Sequence, residues 1–162
     1  MLGASRNSVV IRRDSRTRAG CVSTIVASHR SAPAVPDPQK QYAFRIEVQT
    51  SYLPEQSKPD DSCYSFAYTV RITNQGNVAA QLISRHWFIS DDDGRSIEVK
   101  GLGVVGQQPL LAPGERFEYT SGSQLATPTG EMRGSYFFVA EDGERFEVEI
   151  PQFALSMPRT LH

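Results

Sequence analysis

Among 162 residues there are only two cysteines, three histidines and one tryptophan, and each scarcity removes a class of chemistry. Cys21 and Cys63 form no CxxC pair, so neither a dithiol redox centre nor a zinc ribbon can be built from them. A bridge between them would tie a basic tail to a strand, and reduced thiols in a cytosolic compartment are the expectation. His29, His86 and His162 are scattered, with no Ser-His-Asp elbow, Cys-His pair or HExxH. Nothing approaches the ~18 consecutive apolar residues of a membrane helix, so no membrane insertion is expected. Helical periodicity and internal repeats are missing too. The expectation is a protein with no catalytic residues, no cofactor and no assigned metal ligand.

Net charge is only −1, but it is unevenly placed. Residues 1–40 carry seven Lys/Arg against two acids, and residues 41–162 carry ten against sixteen. The chain divides into a basic N-terminal extension, 1–40, expected to be disordered, and an acidic domain, 41–162. Six Arg, six Ser and a single acid, Asp14, in residues 1–36 also suit a transit peptide, and APAVPDP closes the segment. A secretory signal is not expected, because no apolar h-region follows the first basic residue. With no aromatic interleaving in the tail and an acidic domain behind it, nucleic acid is not an expected partner.

From residue 41 onward, alternation dominates. Tyr42, Phe44, Ile46 and Val48 share one parity, and Tyr64, Phe66, Tyr68, Val70 and Ile72 repeat the pattern after the loop PEQSKPDDS. Each set describes a strand with one buried face. Asp93-Gly94 and Asp142-Gly143 suggest type I′ hairpin turns, and Pro113-Gly114 a type II turn. Between them lie IEVK, QPLLA, RFEYT, EMRGSYFFVA and RFEVEI, for about eight strands. Gln81–Ser90 is apolar on both parities, with Leu82 and Phe88 on one face and Ile83, Trp87 and Ile89 on the other, as a central strand would be. The fold class expected is all-β, an antiparallel sandwich.

Three stretches invite a functional question. KGLGVVG, residues 100–106, has the G-x-G-x-x-G spacing of dinucleotide-binding loops, but two prolines and no helix follow it, so no Rossmann unit can form. One reading makes Gly101, Gly103 and Gly106 the backbone geometry of a tight or bulged crossover. The other makes them, with Lys100, an anion nest for a weakly held nucleotide or polyphosphate. Asp91-Asp92-Asp93-Gly94 lacks the D-x-D-x-D-G register and distal Glu of a calcium loop, so a hairpin turn is expected. Arg85, His86 and Trp87 pair residue types favoured at binding hot spots, and the burial of Trp87 decides between a docking surface and core.

SRHWFISDDDGRSIEVKGLGVVGQQPLLAPGERFEYTSG, then GSYFFVAEDGERFEVEIPQFAL and the closing MPRTLH, resemble the bacterial ApaG family, also called CorD. The likeness runs from about Tyr42 to the C-terminus, YLPEQS included, and leaves residues 1–40 outside. The resemblance implies an immunoglobulin or fibronectin type III-like sandwich, an association with cobalt resistance and magnesium efflux, and no established enzymatic activity. Related eukaryotic domains attached to F-box and DNA-polymerase-interacting proteins suggest a protein-interaction module. A cytoplasmic location and a protein partner are therefore expected, and exposed sandwich edges can pair in a homodimer.

Overall fold

The structure, a computed structural model, describes residues 39–159. The N-terminal extension up to residue 38, with Cys21 and His29, and His162 at the other end lie outside the described residues. The strands are β1 (Phe44–Tyr52), β2 (Tyr64–Asn74), β3 (Ala80–Asp91), β4 (Ser96–Leu102), β5 (Leu110–Leu111), β6 (Arg116–Leu125), β7 (Thr129–Ala140) and β8 (Arg145–Ser156). Two short 3-10 turns, Pro54–Gln56 and Pro59–Asp61, shape the PEQSKPDDS loop. No helix among the described residues is long and apolar enough to cross a membrane.

The strands form two antiparallel sheets, as the alternation requires. One is three-stranded, β1-β2-β6; the other runs β4-β3-β7-β8, with β5 pairing β3 beyond the end of β4. The even residues Phe66, Tyr68, Val70 and Ile72 of β2 are buried against the second sheet, whereas Thr69 and Arg71 face water. β1 lies against β8 on one side, where Phe44 stacks on Phe138 at 4.2 Å and Phe138 on Phe146 at 5.6 Å. Such offset aromatic contacts close the sandwich without polar groups to satisfy.

β3 is central, as expected, but its faces are not divided as simple alternation predicts. Leu82 pairs with Phe138 and Ser84 with Phe137, so Ile83 is an extra residue, a β-bulge. The bulge inverts the parity: Ala80 and Leu82 face the core before it, and Arg85, Trp87 and Ile89 after it. Leu82 and Phe88 therefore lie on opposite faces, a correction to the sequence expectation. β8 carries a similar shift beside Pro151, which an edge strand tolerates because its N–H side needs no partner.

The turns bring a second correction. In both Asp-Gly turns only the glycine has positive φ, Gly94 at 80° and Gly143 at 89°. Asp91 N–H and Arg95 C=O close the first loop, and Ala140 N–H and Glu144 C=O the second. These are three-residue loops built on a type I turn with a left-handed glycine, not type I′ turns. Aspartate side chains set this geometry: Asp91 Oδ1 accepts from the N–H groups of Asp93 and Arg95, and Asp142 Oδ1 from Glu144 N–H. Pro113-Gly114 is the expected turn, with Gly114 at φ 82° and a bond from Glu115 N–H to Ala112 C=O.

Candidate functional site

The three glycines of KGLGVVG leave the sheet edge through a hairpin. Val104 and Gln107 exchange N–H···O bonds of 2.8 and 2.9 Å, and the residues between them, Val105 (φ 46°) and Gly106 (φ 76°), are both left-handed. This is the type I′ turn, and it stands where sequence alone did not place one. Val104 is fully buried and anchors the turn into the core, which holds the β-branched Val105 in a conformation it disfavours. Gly103 has φ 61°, and a Cβ there would come within 2.3 Å of Gln107 O. Loop geometry thus accounts for Gly103 and Gly106, as the crossover reading expects.

Gly101 has a different reason. It pairs with Arg85 across β3 and β4, and an added Cβ would meet the Arg85 guanidinium at 2.9 Å. Through that space Arg85 Nη1 donates to the carbonyls of Leu102 (3.1 Å) and Gly103 (2.8 Å). Arg85 is thus a brace for the loop mouth. From the other side, the Ile83 carbonyl at the bulge accepts from Gly103 N–H and Gln108 Nε2, both at 2.8 Å.

As an anion nest the loop is poorly provisioned. The amides of Gly103, Val104 and Gln107 are donated to backbone carbonyls. Lys100 Nζ bonds Glu98 Oε1 at 2.9 Å, and the same oxygen lies 2.6 Å from His86 Nε2. Lys100 first, then His86, hold the Glu98 carboxyl below its usual range. A phosphate would have to displace or outlast a carboxylate already in place.

Trp87 is 2% exposed, which settles the docking question against it: the residue is core and takes no part in a surface. It sits edge-on to Tyr68, Tyr136 and Phe153 at 5.6, 6.1 and 5.9 Å, and its Nε1 has no hydrogen-bond partner among the described residues. Tyr136 and Tyr119 join hydroxyls at 2.5 Å in the same interior, and burial pushes both phenols, and Tyr68, upward. These hydroxyls stay protonated and structural. Arg85 is half-buried between this interior and the loop, and of the trio only His86 lies on the outer face.

Sequence reasoning missed the outer face of the five-stranded sheet. There the His86 ring packs tilted against Phe88, centroids 4.4 Å apart, and the Arg133 guanidinium lies 4.6 Å over the same Phe88 ring. Beyond His86, register places Leu102 opposite Ser84 and Ser84 opposite Phe137, while Leu110 lies opposite Gln81 and Gln81 opposite Val139. Leu102 and Leu110 are 75% and 60% exposed. The signal was diluted because Leu102 reads as part of the glycine motif and Leu110 as one of a buried pair.

The acidic turn has no metal-ligand geometry. Asp91 caps backbone amides, Asp93 faces Arg95 at 3.5 Å and Asp92 accepts from Thr129 Oγ1. Among the described residues no group of three or more His, Cys, Asp or Glu is arranged to hold a metal ion. Cys63 is a free, half-buried thiol whose Sγ accepts from Gln124 Nε2.

Comparison with known proteins places this geometry. Residues 54–140 match the ApaG domain. Protein ApaG of Methylobacillus flagellatus is 61% identical over 123 residues, covering 76% of this chain and 97% of the relative. Protein ApaG of Thiobacillus denitrificans is 63% identical over the same length and coverage. A crystal structure described as an ApaA protein from Bordetella pertussis superposes with a TM-score of 0.72 at 61% identity, covering 76% of this chain and all of the other. A domain match over more than half the chain, and relatives matched over nearly their whole length, establish that the chain belongs to the ApaG family.

Proposed function

We propose that the domain works without catalysis, as a cytoplasmic protein-interaction module that serves divalent-cation (Co2+/Mg2+) homeostasis through a protein partner. The observation that carries this reading is the apolar patch on the outer sheet face, where Leu102 and Leu110 flank the loop beside the half-buried Phe137. Large apolar side chains left in water on a rigid sheet mark a docking surface. His86, Phe88 and Arg133 border it with an aromatic and a cation, a composition favoured at interface hot spots. The cation role rests on the family resemblance, and the partner, not this domain, would handle the ion.

The alternative, a sensor that takes a phosphate-bearing nucleotide or its Mg2+ complex at Lys100, Gly101, Gly103 and Gly106, has weaker support. The Gly103 amide, those of its neighbours Val104 and Gln107, and the lysine are already engaged, and the net negative charge of the folded part opposes a polyanion.

Complementation tests the first reading. In cells whose own copy of the gene is deleted, the wild-type chain is expected to restore growth on cobalt, and Leu102→Asp with Leu110→Asp to abolish the rescue while leaving the melting temperature unchanged. Full rescue by the folded double variant would remove the docking face; no rescue by the wild type would remove the cation role.

A further inference from the structure

The free edge of the five-stranded sheet carries a sequence that is its own complement. β4 pairs with β3 on one side and has no strand on the other among the described residues. Its seven residues read Ser96-Ile97-Glu98-Val99-Lys100-Gly101-Leu102. An edge strand offers a row of N–H and C=O groups to any passing strand, and a lysine on it ordinarily discourages pairing. Here Glu98 stands two residues from Lys100 on the same face, so the edge repels strands of unmatched charge but not a reversed copy of itself.

We infer that β4 is a self-association strand: two copies of the chain join β4 to β4, antiparallel, about a two-fold axis through Val99. In that register Val99 faces Val99, Glu98 of each copy faces Lys100 of the other, Ile97 faces Gly101 and Ser96 faces Leu102. Opposite charges directly across an antiparallel pair stabilise it, and like charges destabilise it. The arrangement is isologous, as a closed two-fold dimer requires, and it creates one continuous sheet from one β8 to the other.

Other edges offer less. β1 also has an opposite-charge pair, Arg45 and Glu47, but its centre at Ile46 lies near the strand start and pairs only residues 44–48. In β6 the opposite charges are Arg116 and Glu118, at the very start of the strand, so a two-fold centre at Phe117 pairs only residues 116–118. β8 bends at its bulge. The exposed large apolar residues among those described are Ile97, Leu102 and Leu110, two of them on β4 and none on β1, β6 or β8.

Sedimentation equilibrium of the full chain from ~10 µM to ~1 mM spans micromolar to millimolar association. The wild type is expected to shift toward twice the monomer mass. Lys100→Glu sets Glu98 against an acid and is expected to stay monomeric, and Glu98→Lys with Lys100→Glu restores the match and the dimer. A monomeric wild type throughout would overturn the inference, as would a Lys100→Glu chain that dimerises normally or a folded double variant that does not recover. Leu110→Asp, which disables the docking face, is expected to leave the mass unchanged, so the two readings fail separately.

Discussion

Arg85 and Gly101 face each other across β3 and β4, and the guanidinium fills the space a side chain at Gly101 would need. The motif's first glycine therefore serves an arginine within the protein. The second and third serve backbone turns.

That division predicts an order of damage. Gly106→Ala has open space and suffers only the left-handed conformation, about 1–2 kcal/mol. Gly103→Ala adds a clash with the Gln107 carbonyl and should cost more. Gly101→Ala displaces the Arg85 bonds, up to about 3 kcal/mol and less to the extent that water replaces the lost carbonyls. Urea unfolding at unchanged m-value measures all three. Equal losses at Gly103 and Gly106 would contradict the close approach at Gly103.

A polyphosphate titration followed by backbone amide NMR addresses the loop directly. Diadenosine or nucleoside polyphosphate, and then Mg2+ and Co2+, are expected to leave the Gly101, Gly103 and Gly106 amides unmoved. Saturable shifts confined to them would revive the sensor reading.

Trp87, the one tryptophan, provides a report on the core. Its native emission should be blue-shifted and shielded from iodide, and unfolding should reverse both. Quenching as efficient as that of free tryptophan would contradict its 2% exposure.

Acid and base act through one contact. Tyr42 Oη donates to Asp142 Oδ2 at 2.6 Å, and Lys40 Nζ donates to the same oxygen at 3.0 Å. The bond from Tyr42, then that from Lys40, pulls the Asp142 carboxyl down to about 2, and the same carboxylate raises Tyr42 to about 12. A depressed acid contributes stability above its unfolded pKa of about 4, lost as pH falls toward 2. A raised phenol contributes stability below about 10, lost as pH rises toward 12. Carboxylate NMR of Tyr42→Phe is expected to show Asp142 titrating closer to its ordinary value; an unchanged titration would mean that Lys40 and the Glu144 amide set it without the phenol.

Alternation, turn residues and the failure of KGLGVVG to open a helix were enough to read eight strands, two antiparallel sheets and a non-Rossmann glycine loop. Each of these follows from local stereochemistry: one face of a strand buries every second residue, and proline and glycine restrict or release φ where they stand. Three things were decided only by tertiary structure. Parity in β3 changes because the Ile83 carbonyl is taken by Gly103 and Gln108, residues that a strand pattern cannot connect to it. Trp87 is core because that inversion turns the odd residues inward against Tyr68, Tyr136 and Phe153. Leu102 and Leu110 come together on one face because β4 and β5 pair with the same strand on either side of the loop, and adjacency across a sheet depends on register, which local sequence does not contain.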